Sequence, residues 1–191
     1  MKKLLGKIFL WLVGWKPYEN KITLRKFVLV AAPHTSNWDL PIMLSIGWVY
    51  GLSIGWIGKH TLFQFPFGWF MRALGGIPID RSARQNLVAH MAEVYRKADS
   101  LVVAIPPEGT RKAAPYWKSG FYHIARGAGV PIVLGVLDYK ERRGGFGPVI
   151  EPTGDLKADM DKIRTFYKDK AGKFPANFGP IRLKEEAEQA A

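Results

Sequence analysis

Phe27-Val28-Leu29-Val30-Ala31-Ala32-Pro33-His34-Thr35-Ser36-Asn37-Trp38-Asp39 reads as a buried strand, a polar turn and the start of a helix. The apolar run is short, continuous and rich in β-branched residues, which suits a strand covered on both faces. Thr35, Ser36 and Asn37 are all helix N-cap types. Pro41 is tolerated only near a helix start, so a helix is expected from Asp39 through residue 50.

The same alternation recurs outward from this stretch. Leu101-Val102-Val103-Ala104-Ile105 and Pro131-Ile132-Val133-Leu134-Gly135-Val136-Leu137 read as further buried strands. Gly55-Trp56-Ile57-Gly58 and Ile77-Pro78-Ile79 are shorter candidates. Helices are expected around 61–73, 83–97, 119–128 and 155–169. The fold expected is α/β: a single domain with a mostly parallel or mixed central sheet flanked by helices. Ligands of such sheets bind just beyond the strand ends. Three polar clusters stand there: 33–39, Asp80-Arg81, and Pro106-Pro107-Glu108-Gly109-Thr110-Arg111.

The 191 residues hold one core, with 48% hydrophobic and 23% charged residues. There is no cysteine, which excludes disulfides, thiolate catalysis and Cys-rich zinc sites. No metal-ligand cluster appears either; His60, His90 and His123 stand outside any motif and read as structural or surface residues. A net charge of +12 favours anionic partners: nucleic acid, anionic lipid or phosphorylated small molecules. Seven Trp and eleven Phe tilt the choice toward lipid. No nucleic-acid motif accompanies the charge, so a non-catalytic basic binding protein is the lesser reading.

Three segments are expected: residues 1–17, a short N-terminal amphipathic helix; 18–181, the main domain; and 182–191, a polar tail, helical or frayed. Leu4, Leu5, Ile8, Leu12 and Trp15 can share a face, with Lys2, Lys3, Lys7 and Lys16 placed for anionic headgroups. The alternative is a helix packed on the core. The apolar run is shorter than the roughly 20 residues a spanning helix needs. A secretory signal fits the charge order, but no small-x-small cleavage site follows. Peripheral or monotopic placement on the cytoplasmic face of a membrane is therefore expected. The aromatic-dense run Leu62 to Met71 reads as groove wall, membrane-facing surface or plain core.

His34 and Asp39 are five residues apart, which in a continuous helix would point them about 140° away from each other. With His34 on the incoming loop, Asp39 can accept from one imidazole nitrogen and leave the other as a general base. A loop histidine beside a capping aspartate is the plainer alternative. Gly109 permits close backbone approach to a ligand, and Arg111 offers a planar fork suited to phosphate. Lys59 and Arg81 are further cations at strand ends.

These blocks together give the chain a resemblance to the glycerolipid acyltransferase family, which includes 1-acylglycerol-3-phosphate acyltransferases, within the lysophospholipid acyltransferase superfamily. His34 and Asp39 match its His-x4-Asp block, and Gly76-Ile77-Pro78-Ile79-Asp80-Arg81 its arginine block. Glu108-Gly109-Thr110-Arg111 matches without change, as does Val130-Pro131-Ile132. The resemblance implies that His34 and Asp39 are catalytic. It implies that Arg81, Glu108 and Arg111 bind the glycerol-phosphate part of the acceptor, that Lys59 helps, and that Gly109 and Thr110 shape the loop. It implies acyl-CoA or acyl-carrier protein as co-substrate, no other cofactor, and a lysolipid acceptor. The family usually carries Asn where Pro33 stands, which leaves the acceptor open: a lysophosphatidic-acid-like lipid, another lysophospholipid, or an amino-acid lysolipid.

Overall fold

The computed structural model describes residues 1–20, 22–79 and 84–189. Its seven strands are β1 (Lys16–Pro17), β2 (Lys26–Ala31), β3 (Ile54–Lys59), β4 (Gly76–Ile79), β5 (Leu101–Ile105), β6 (Ile132–Asp138) and β7 (Arg143–Ile150). They form one sheet in the order β1-β7-β6-β2-β5-β3-β4. Strands β6, β2, β5, β3 and β4 run parallel, while β7 is antiparallel to β6 and makes the sheet mixed. Val28 of β2 lies beside Val103 of β5 and Ile132 of β6, at the centre of the sheet.

Alternation along β2 sends side chains to two cores. Phe27 and Leu29 join Leu44, Trp56, Phe63 and Phe146 beneath α2 (Asp39–Tyr50) and α3 (Gly68–Ala73). Val28 and Val30 join Met91 and Tyr95 of α4 (Arg84–Lys97), Phe121 and Tyr122 of α5 (Gly120–Ala128), and Met160, Ile163 and Tyr167 of α6 (Leu156–Tyr167). Two buried tyrosines lock the central strands. Tyr95 Oη donates to Phe27 O and accepts from Val103 N–H. Tyr167 Oη lies 3.1 Å from Val30 O and 2.8 Å from Gly135 O, bridging β2 and β6.

The N-terminal helix α1 (Lys2–Leu12) packs on α2 through Leu10, which meets Ile42, Ile46 and Leu137. Gly6 makes the approach possible: a Cβ there would come within 2.6 Å of Ser45 O. Leu4, Leu5, Ile8, Trp11 and Leu12 stay exposed, but Trp15 is buried. Trp15 thus leaves the face on which its spacing placed it. It follows Gly14, whose φ of +70° turns the chain off the helix axis. No helix among the described residues is long and apolar enough to cross a membrane.

Two elements depart from the expected pattern. The 61–73 helix is a 3-10 turn (His60–Phe63) followed by the separate α3. Pro66 supplies no N–H, and Gly68 sits against Phe63 O where a Cβ has no room. Strand β7 does not stand out in the sequence, because Gly144, Gly145, Gly147 and Pro148 dilute its apolar pattern. At least one of those glycines is required by packing: a side chain at Gly147 would enter the Phe166 ring. Residues 183–186 are held to the domain. Leu183 is buried and bridges Trp117, and Glu186 of α7 (Lys184–Gln189) accepts from Arg164.

Candidate active site

The turn between β2 and α2 is organised by one carboxylate. Helix α2 starts at Asp39 after Trp38, which makes no side-chain cap. Asp39 instead turns back on the loop. Its Oδ2 accepts from Thr35 N–H and Ser36 N–H, each at 3.0 Å, and from His34 Nδ1 at 3.1 Å. Its Oδ1 accepts from Tyr139 Oη at 2.6 Å. Asp39 is 5% exposed, so these donors replace the water that a buried charge would otherwise lack. His34 lies outside the helix, and a spacing of five becomes a direct contact.

Glu108 holds the same loop from the neighbouring strand exit. His34 N–H donates to Glu108 Oε1 at 2.9 Å. Glu108 is 3% exposed, and its Oε2 is buried with no hydrogen-bond partner among the described residues. Burial pushes the Glu108 carboxyl above its ordinary value, against the opposing bond from His34 N–H. The side chain grips the His34 backbone and does not line the cavity described next.

A cavity of about 730 Å³ opens beside the turn. That is the size of a small-molecule site. His34, Asn37, Asp39, Lys59, Gly109, Thr110 and Arg111 supply its polar wall. Leu29, Ile54, Trp56, Ala104, Val136 and Phe146 supply its apolar wall, between the sheet and α2. Gly109 has φ +65°, a conformation that favours glycine, and its loop is pinned by Lys118 N–H donating to Pro107 O at 2.8 Å. Arg81, expected at a strand end, lies outside the described residues. His60, His90 and His123 are exposed and take no part.

Tyr139 is the residue that motif spacing does not reveal. It stands 100 positions from Asp39 in the chain. One signal was available: it follows β6 directly and so occupies a fourth strand exit. Its ring meets Trp15 edge-on at 4.8 Å between centroids, and its N–H donates to Ala171 O. Burial, then the bond to Asp39, pushes its hydroxyl pKa upward, so it remains a donor at neutral pH.

The model of the Acyltransferase family matches residues 18–134, which covers β2, the turn, the cavity loops and the start of β6. The chain belongs to the Acyltransferase family. An uncharacterized acyltransferase of Schizosaccharomyces pombe is 32% identical over 126 residues, covering 60% of this chain and 44% of that protein. A 1-acyl-sn-glycerol-3-phosphate acyltransferase of Haemophilus influenzae is 33% identical over 107 residues, covering 52% of this chain and 43% of that protein. The chain therefore spans less than half the length of the curated relatives it matches. The crystal structure of the 1-acyl-sn-glycerophosphate (LPA) acyltransferase PlsC from Thermotoga maritima superposes with a TM-score of 0.60 at 19% identity, covering 88% of this chain and 78% of that one. This likeness shows the α/β fold with its mixed seven-stranded sheet. Within the family match, the His34–Asp39 turn and residues Gly109 to Arg111 face one cavity.

Proposed function

We propose that the chain transfers a fatty acyl group from an acyl thioester, acyl-CoA or acyl-carrier protein, to the hydroxyl of a lysophosphatidic-acid-like glycerolipid precursor. The observation that carries this is the cavity itself. It combines the His34–Asp39 pair, two cations and an apolar wall in one space.

In this reading Asp39 holds the proton on Nδ1 and leaves Nε2 as the base. The acceptor oxygen attacks the thioester carbonyl while its proton passes to Nε2. The C–S bond then breaks, and the thiolate takes the proton back from the imidazolium. Arg111 and Lys59, with Arg81 by resemblance, neutralise the acceptor phosphate and place its hydroxyl. Gly109 and Thr110 shape the loop that presents Arg111. Glu108 acts here through the His34 backbone, as a positioning residue. The apolar wall takes hydrocarbon. The exposed apolar face of α1, with Lys2, Lys3 and Lys7 and no acidic residue before Glu19, fits a peripheral site on the cytoplasmic face of an anionic membrane.

The test is a panel of acceptors offered to the purified protein with either donor: lysophosphatidic acid, other lysophospholipids and an amino-acid lysolipid. The expected result is thiol release and diacyl product with lysophosphatidic acid above all others. Preference for a different lysolipid would keep the chemistry and replace the acceptor. Absence of transfer to any of them with both donors would contradict the reading.

A further inference from the structure

The segment joining the 3-10 turn to α3 displays a dense set of large apolar side chains. Phe65 is 98% exposed, Trp69 72% and Phe67 66%, with Leu62 and Phe70 also exposed. The segment is held from beneath. Phe63 is buried and stacked on Trp56, and Arg72 donates to Phe63 O while its guanidinium lies over the Phe63 ring. The exposed rings are therefore presented by an anchored scaffold. Clusters of exposed aromatics on this scale mark an interaction surface.

Three observations identify the partner. First, the stretch from Ile54 to Ile79 contains no Asp or Glu, but carries Lys59 and Arg72. An aromatic set with cations and no acids complements an anionic lipid interface. Secondly, the set adjoins the cavity mouth: Lys59, Thr61 and Leu62 line the cavity, and Phe65 to Phe70 follow directly. Thirdly, it shares a side of the sheet with the exposed face of α1. Phe63, Met71 and Leu74 pack into the same core as Leu44 of α2, and α1 packs on α2.

We infer that Phe65, Phe67, Trp69 and Phe70 form a bilayer-docking surface that sets the cavity mouth against an anionic membrane. The inference deepens the proposed lipid acyl transfer and rests on it for its purpose, although binding is measurable without substrate.

The experiment compares wild type with the double variant F65S/W69S, neither residue lining the cavity. Both are sedimented with phosphatidylglycerol vesicles without donor or acceptor. Both are also assayed on a short-chain acceptor held below its micellar concentration. The expected result is vesicle binding by wild type, weakened about tenfold or more in the variant, with unchanged transfer to the soluble acceptor. Equal binding by the two proteins would overturn the inference, as would wild type failing to bind. So would light scattering that shows a wild-type dimer and a monomeric variant, since the occupant is then a second copy. Vesicle binding by a protein that acylates no lysolipid keeps the surface and removes the function.

A second inference rests on separate geometry. Tyr139 Oη donates to the Asp39 oxygen that His34 does not use, and the Tyr139 ring is braced by Trp15 immediately after α1. We propose Tyr139 as a positioning residue that fixes Asp39, and through it the His34 ring, if that pair is the base. Y139F keeps the ring against Trp15 and deletes the hydrogen bond. Its kcat is expected to fall about tenfold with KM within error of wild type, alongside a modest fall in melting temperature from the donor that the buried carboxylate loses. Unchanged kcat, or a change confined to KM or stability, would overturn the role. Inactivity of a His34 variant alongside a wild-type Y139F would leave the base reading standing and remove only Tyr139.

Discussion

The backbone N–H of His34 and the buried carboxylate of Glu108 are joined across 74 residues by a 2.9 Å hydrogen bond. The bond ties the exit of β2 to the exit of β5, two strands in direct register. Asp39 fixes the imidazole from the helix side and Glu108 fixes its backbone from the strand side. His34 is therefore clamped at both ends before any substrate arrives, the preorganisation that the proposed general-base chemistry requires.

Removing the clamp should cost turnover. Glu108→Ala is expected to lower kcat by about 10²-fold, the loss typical of displacing a reacting group by an ångström. Glu108→Gln keeps an oxygen for the His34 N–H and should retain most of the activity. Steady-state kinetics of both variants, with circular dichroism to confirm folding, check the order Gln above Ala.

In the proposed reaction Arg111 serves the acceptor and not the chemistry. Arg111→Ala is expected to raise KM for a phosphorylated acceptor by about tenfold or more while kcat changes much less. An acceptor without phosphate should be nearly indifferent to the substitution. A KM unchanged for the phosphorylated acceptor would remove Arg111 from the anion site.

Away from the site, Asp159 makes stability depend on acid. It is fully buried at the start of α6 and accepts from Tyr122 Oη, Thr153 N–H, Thr153 Oγ1 and Lys162. Burial alone would raise its pKa, but these donors outweigh burial and hold the carboxyl below its ordinary value. A depressed folded-state pKa adds stability above the unfolded value of about 4 that is lost as pH falls through the folded one. Melting temperature should therefore drop below about pH 4. Asp159→Asn should be destabilised by about 2 kcal/mol at neutral pH and show a shallower acid dependence.

The sheet and the turn were legible for different reasons. Buried parallel strands such as Leu101–Ile105 read as continuous apolar runs, and α2 was legible from Pro41 and the polar turn before it. Strand β7 was not, because glycines chosen for close packing erase the apolar pattern. The 61–73 helix was misread because apolar density there serves an exposed surface and not a helical face. The His34–Asp39 contact is local, so spacing and turn chemistry reached it. Glu108 was found through its motif, but its grip on the His34 backbone depends on strand register. Tyr139 depends on the same long-range geometry and has no motif to announce it.

The central claim is that His34 takes the proton from the acceptor hydroxyl. The direct test is single-turnover acyl transfer by H34A, with an intact fold verified by circular dichroism and cavity occupancy by acceptor binding. The account predicts normal acceptor affinity with a transfer rate lower by about 10³-fold or more. A folded H34A that transfers the acyl group at near the wild-type rate would contradict it.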